Sequence, residues 1–260
     1  GEGILPVVVE SVDAPGFADA RADAMLLFIG QAVGTHQPIS GFACAVDEPL
    51  GAQFLLWEYA TAIAGYSIGI NPFDQPDVES AKQAARDLMS GSGGDEVSDD
   101  FADGPVSVRH LGGDWLGDAA DVDAAVAALL AQVDPEHGYV AVMAYLDREG
   151  DAPFAQVADA LAERVGRPVT FGWGPRFLHS TGQYHKGGPR TGVYIQITDV
   201  PREDLAVPGR DFTLGEFIAA QAGGDAAVLA DRGRPVLVLH LTDPDAGLAA
   251  VEAALRGDHA

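Results

Sequence analysis

Lysine is nearly absent from this chain. The 15 basic residues include two lysines, Lys82 and Lys186, and they face 39 acidic residues for a net charge of −24. That imbalance argues against nucleic acid and anionic membrane surfaces, whose phosphates would be repelled. It also repels an anionic substrate at long range, so any phosphate site has to be local, built from a few cations and backbone N–H groups. Cysteine occurs once. Cys44 therefore makes no internal disulfide, and its place in the apolar run Phe42–Val46 reads as a buried core thiol in a reducing cytosol. No run of 18 apolar residues is present, which excludes a membrane-spanning helix of ordinary length. No basic-then-apolar N-terminal signal is present either.

What remains is a chain of 260 residues with 47% apolar content, enough for one large domain or two small ones with real cores. Gly3–Val9 reads as a short strand ending at Glu10. Met25–Ile29 and Phe42–Val46 read as buried parallel strands, and Leu50–Gly69 as a helix apolar nearly all round and therefore buried. Ser90–Gly94, followed by the acidic run Asp95–Asp103, reads as a linker. The expected organisation is a first domain over 1–92, a linker over 93–104 and a second domain over 105–260. In the second part, strands at Val106–Leu111, Tyr139–Leu146, Val169–Phe171, Gly192–Thr198 and Pro235–Leu241 alternate with helices. Those helices are Asp121–Val133, Pro153–Val165, Leu214–Ala230 and Pro244–Leu255. Such alternation predicts an α/β layer with a mostly parallel sheet, whose ligands bind at the carboxyl ends of strands.

The densest polar motif is Ile70-Asn71-Pro72-Phe73-Asp74-Gln75-Pro76-Asp77-Val78-Glu79-Ser80-Ala81-Lys82. Pro76 suits the first position of a helix, and Asp77 and Glu79 suit its first turn. Gln75 then lies beside unpaired backbone N–H groups. Lys82 follows seven residues later, on nearly the same face, and leans back towards the N-terminus. An amide and an ammonium converging at a helix N-terminus suit a polyhydroxy anion. The plain alternative is a capped surface helix with a solvated lysine.

Asn71-Pro72-Phe73-Asp74-Gln75 with Val78-Glu79 and Lys82 resembles the C-terminal signature of the phosphoglucose isomerase (glucose-6-phosphate isomerase) family. The preceding helix Leu50–Tyr59 fits it too, and the resemblance covers roughly residues 1–90. Asp77 departs from the family's usual Gly or Ala. That departure, and the later run from Gly174 to Pro189, look like the actinobacterial branch in which the isomerase is fused behind a transaldolase. The resemblance implies a parallel-sheet sugar isomerase (SIS-like) C-terminal subdomain followed by a second α/β domain. It also implies a cytoplasmic homo-oligomer acting on a sugar phosphate, with no cofactor and no metal. Lys82 and Gln75 carry over to the sugar-facing set. Glu10 is the leading candidate for the proton-carrying carboxylate, with Glu48 second; an exposed strand-end acid is the competing reading of Glu10. His36 is a candidate ring-opening histidine, and Glu58 a candidate partner for Lys82.

The 12-residue stretch 179–190 reads as a functional loop, gathering His179, His185, Lys186 and Arg190 among glycines. Phosphate or carboxylate binding is one reading, and buttressing of an interface is the other. The spacing of His179 and His185 disfavours zinc. The family's Ser/Thr-rich phosphate-holding loop is not found in residues 1–90, nor is a transaldolase barrel. An N-terminal isomerase half is therefore an expected partner, in the same longer chain or a second subunit. A non-catalytic sugar-phosphate-binding or assembly module is the alternative.

Overall fold

The computed structural model describes residues 3–18, 23–30, 42–74, 83, 86, 89 and 98–258, without the side chain of His179. The described chain is α/β. Its main sheet has six strands: β3 (Phe101–Asp103), β4 (Val106–Leu111), β5 (Tyr139–Tyr145), β6 (Val169–Trp173), β7 (Gly192–Asp199) and β8 (Val236–Leu241). They lie in the order β3-β4-β8-β7-β5-β6. β5 runs parallel to β6 and β7, and β7 runs parallel to β8. β4 is antiparallel to β8, and β3 is antiparallel to β4. A separate two-stranded parallel sheet joins β1 (Leu26–Ile29) to β2 (Ala43–Val46).

Parallel strands covered on both faces read as continuous apolar runs, and β5 is buried along its whole length. Alternate residues serve opposite faces. Val140, Val142, Ile195, Ile197, Leu237 and Leu239 face one layer, made by α3 (Val122–Leu130), α4 (Val157–Val165) and α7 (Pro244–Arg256). Tyr139, Ala141, Met143, Tyr145, Tyr194 and Val238 face the other. That side is covered by a 3-10 turn at Arg176–His179, by α5 (Thr181–Gly187) and by α6 (Leu214–Asp231). Caps place the helix starts. The Asp121 side chain accepts from Ala124 N–H at 2.7 Å, and Thr213 and Glu216 form a capping box on α6.

Several expectations are corrected. Gly3–Val9 forms no strand; the segment lies against the second face, with Leu5 beside its apolar cluster and Gly3 under the Tyr184 ring. α1 (Pro15–Ala18) packs on α4, and Asp23 pairs with Arg167 at 3.2 Å, so the first part of the chain is anchored to the second. β3 falls inside the stretch expected to be linker. Phe101 packs against the first core layer while Ala102 and Asp103 stay exposed, an acidic edge strand whose apolar signal is one residue long. Cys44 is exposed, because the described residues lay nothing over β2.

The largest correction is α2 (Leu50–Ile68). Its apolar composition predicts burial, yet Phe54, Ile63 and Tyr66 are 63%, 62% and 88% exposed, and Gly65 is its one buried residue. The helix ends at Gly69 in the left-handed conformation (φ 75°), and the chain folds back so that Ile70 N–H reaches Gly65 O at 2.9 Å. No described helix is long and apolar enough to cross a membrane.

Two glycines of positive φ separate conformational strain from close approach. At Gly112 (φ 80°) a Cβ would collide with the carbonyl of Arg234, whereas at Gly104 (φ 54°) it would meet open space. Gly104→Ala should cost about 1 kcal/mol and Gly112→Ala more than about 2 kcal/mol in urea unfolding. Equal losses would refute the close contact between the end of β4 and the start of β8.

Candidate functional site

Three groups of polar side chains are candidates. The first is the turn after α2. Asn71 accepts from Phe73 N–H at 3.1 Å, and Asp74 N–H reaches Asn71 O at 3.2 Å, so Ile70–Asp74 is an ordered polar turn leading to position 75. Gln75, Lys82 and His36 lie outside the described residues. Glu10 is exposed at a bend that follows no strand, and Glu48 and Glu58 are exposed as well.

The second group is the stretch 179–190, where the structure corrects the expectation of an anion-binding loop. The stretch is mostly helical, and its glycines serve close packing. A Cβ at Gly182 would lie 2.9 Å from Phe177 O, and one at Gly188 would lie 2.5 Å from Tyr184 O. Lys186 is 2% exposed, and its ammonium is ion-paired with the fully buried Asp225 of α6. His185 is equally buried. Arg190 is exposed, with its guanidinium beside Gly233, and His179 closes the 3-10 turn. The carbonyls at the end of α5 are held from outside. Arg234 donates to Lys186 O (2.8 Å), Gly188 O (2.7 Å) and Pro189 O (2.9 Å), and Arg232 to Lys186 O (2.8 Å).

Around His185 the bonds close a ring. Tyr194 Oη–H donates to His185 O at 2.9 Å, Tyr139 and Tyr194 hydroxyls lie 2.8 Å apart, and Tyr139 Oη lies 2.9 Å from His185 Nδ1. Each hydroxyl has one proton. The assignment that satisfies all three bonds runs from Nδ1–H to Tyr139, from Tyr139 to Tyr194 and from Tyr194 to the carbonyl, which places a proton on His185 Nδ1. Burial, reinforced by Lys186 and Arg234, pushes the imidazole pKa down to about 3, which leaves the ring neutral. Burial pushes Tyr139 and Tyr194 up, so both stay protonated.

The third group is a set of carboxylates at the carboxyl ends of β5 and β7. Half-buried Asp199 ends β7 and is pushed up to about 6, chiefly by burial and then by Asp151. Burial raises Asp151 as well, while the N–H groups of Gly150 and Glu149 lower Asp147. Arg202 pairs with Asp245 across the rim. Among the described residues no group of three His, Cys, Asp or Glu is arranged to hold a metal ion. Two open depressions of about 300 and 310 Å³ lie elsewhere, one lined by Glu163, Arg164 and Arg256 and the other by Ala127, Pro135 and Arg167. They sit at helix C-termini, the opposite end from the carboxyl ends of the strands.

Sequence reasoning missed Asp225, Arg232, Arg234, Asp199 and the two tyrosines. One available signal was Asp225 itself, a lone acid in the apolar stretch Ala222–Leu229 of a helix.

No family profile matches the chain. A stretch of 46 residues is 46% identical to glucose-6-phosphate isomerase of Leptospira interrogans, covering 18% of this chain and 10% of that protein. The Leptospira biflexa enzyme is 33% identical over 66 residues, 25% of this chain and 13% of that protein. The probable glucose-6-phosphate isomerase of Methanococcus maripaludis is 49% identical over 43 residues, 16% of this chain and 10% of that protein. The chain thus matches about a tenth of the length of these curated relatives, as a distant and partial relation of glucose-6-phosphate isomerases. A hypothetical protein of Thermus thermophilus superposes with TM-score 0.41 at 20% identity, over 52% of this chain and 39% of that one, too slight a likeness to bear on function.

The second and third groups each generate a prediction. Lys186→Met strands a buried carboxylate and should cost about 3–5 kcal/mol, whereas Lys186→Met with Asp225→Leu removes both charges and should recover most of that loss. Denaturant unfolding of both variants checks this; a double variant as unstable as the single would refute the pairing. Asp199 has a folded pKa above its ordinary 3.8, so its contribution is present below about pH 4 and lost as pH rises through about 6. Asp199→Asn should therefore raise stability at pH 7, by about 1 kcal/mol after solvent screening, and flatten the profile between those values.

Proposed function

We propose that this chain is the C-terminal region of a glucose-6-phosphate isomerase of the transaldolase-fused type. It would interconvert glucose 6-phosphate and fructose 6-phosphate by ring opening and enediolate proton transfer. The observation that carries the reading is the bare apolar α2 ending in the ordered turn Ile70–Asp74, after which the sequence continues into the Gln75–Lys82 signature. A helix apolar all round is stable when buried, and a two-stranded parallel sheet is ordinarily part of a larger one. Both features fit docking against an N-terminal isomerase half, in the same longer chain or in a second subunit of a cytoplasmic homo-oligomer.

Lys82 then stabilises the developing enediolate oxygen, and Gln75 positions the sugar. The isomerisation moves protons within one substrate and calls for no cofactor. Glu10 and Glu48 are exposed in this chain, so the burial that would raise a general base's pKa comes from the docked half. Of Lys186, His185 and Arg190, Arg190 is the exposed group and would be available to a phosphate. A non-catalytic sugar-phosphate-binding module is the second reading, favoured by the missing phosphate-holding loop.

The test is an isomerase assay of this chain joined to an N-terminal isomerase half. Activity should appear, and Lys82→Ala should lower kcat/KM for fructose 6-phosphate about a hundredfold or more. An unchanged kcat/KM would remove Lys82 from the mechanism, and sugar-phosphate binding without turnover in any combination would establish the module instead.

A further inference from the structure

The two faces of the main sheet differ in chemistry. The first is apolar along its strands until Asp199, at the carboxyl end of β7. On the second, polar side chains from four elements gather beneath α5 and α6. Tyr145 ends β5, Gln196 lies in β7, Gln183 and Lys186 are one turn apart on α5, and Gln221 and Asp225 are one turn apart on α6. Tyr145, Gln196 and Asp225 are 4%, 1% and 0% exposed. Lys186 and Asp225 pair, Asp225 lies close enough to act on the Tyr145 hydroxyl, and Gln196 donates to Ala222 O at 2.8 Å. Beyond these bonds, buried atoms are left without a partner among the described residues: Tyr145 Oη, Gln196 Oε1, Gln221 Oε1, Gln183 Nε2 and the second oxygen of Asp225. Native interiors leave few such atoms, because a buried polar group without a partner loses its hydration with nothing in return.

The place fits a ligand. β6 lies on one side of β5 and β7 on the other, so strand order reverses at β5, and α/β sheets bind ligands at that point by the carboxyl ends. Gln183 and Gln221 are half-buried and so lie nearer the solvent than Lys186 and Asp225 on the same two helices.

We propose that this polar interior binds a small neutral polyol, of one sugar ring at most. Charge decides against an anion, since Asp225 already balances Lys186. An amine would be repelled by Lys186. Hydroxyl groups both donate and accept, which suits three acceptor oxygens, a phenol and an amide, whichever way the glutamine amides are turned.

The full 260-residue chain is titrated by calorimetry and ligand-observed NMR with glycerol, erythritol, glucose and fructose. At least one should bind saturably, and Gln221→Leu should weaken it about tenfold or more. Gln196→Leu should do the same where it folds. Inorganic phosphate should not compete, and Lys82→Ala should leave binding unchanged, which separates this site from the isomerase reading. The proposal is overturned if no polyol binds saturably, if Gln221→Leu binds as tightly as the parent, or if phosphate displaces the ligand. It also fails if a high-resolution structure solved with the polyol shows an ordered water at every one of these atoms.

Discussion

Burial of β5 and β7 on both faces is the constraint on which the rest of the second part depends. A strand with helices on either side exposes none of its length, so every side chain on it needs a solved neighbourhood. The face under α3, α4 and α7 solves it with apolar residues, mostly aliphatic, with Phe154 and Phe171 among them. The face under α5 and α6 solves it with a closed tyrosine–histidine ring, a buried ion pair and a short glycine-rich helix. Those solutions are coupled. Gly192 has no side chain because a Cβ there would strike Tyr139 and Tyr194. Those hydroxyls bond His185, and the next residue, Lys186, bonds Asp225 across to α6. Displacing α5 would break the ring and strand both charges together.

What was legible in the sequence followed from that same constraint. Tyr139–Tyr145, Gly192–Asp199 and Val236–Leu241 fall within a residue or so of their expected bounds, because doubly covered strands are uninterrupted apolar runs. Elements without a local apolar signal were illegible. Thr181–Gly187 carries two glycines, a histidine and a lysine, and reads as a loop; it is a helix because Asp225, Arg232 and Arg234 hold it there. Phe101–Asp103 is a strand through its pairing with β4 alone. The partners in the ion pair are distant in the chain, and hydropathy carries no information on which charge meets which. Of the candidate site, the turn at Ile70–Asp74 was legible from Asn71 and Pro72, while Gln75 and Lys82 rest on their motif.

α2 shows the limit of the hydropathy argument from the other side. An apolar circumference states that a helix is to be covered, and it is silent on what covers it. Within this chain the described residues leave Leu50, Phe54, Tyr59 and Ile63 in solvent. Nineteen residues of such composition are a large apolar surface for the described residues to leave uncovered. That exposed area and the short match to isomerases are independent observations, one from burial and the other from residue identity.

The distribution of positive charge narrows where this chain could hold an anion. Several of the few cations are already engaged with backbone carbonyls. Arg164 donates to Ala254 O and Leu255 O at the end of α7, Arg167 to Gly138 O, and Arg232 and Arg234 to the end of α5. At the helix C-termini, Arg164, Arg232 and Arg234 complement the dipole and satisfy orphan carbonyls, so their role is to close helices. Lys186 is neutralised by Asp225, and Arg202 and Arg256 are paired with Asp245 and Glu252. With a net charge of −24 repelling anions at a distance, a substrate phosphate would have to be held by cations outside this engaged set. In the second part the exposed Arg190 stands outside that set.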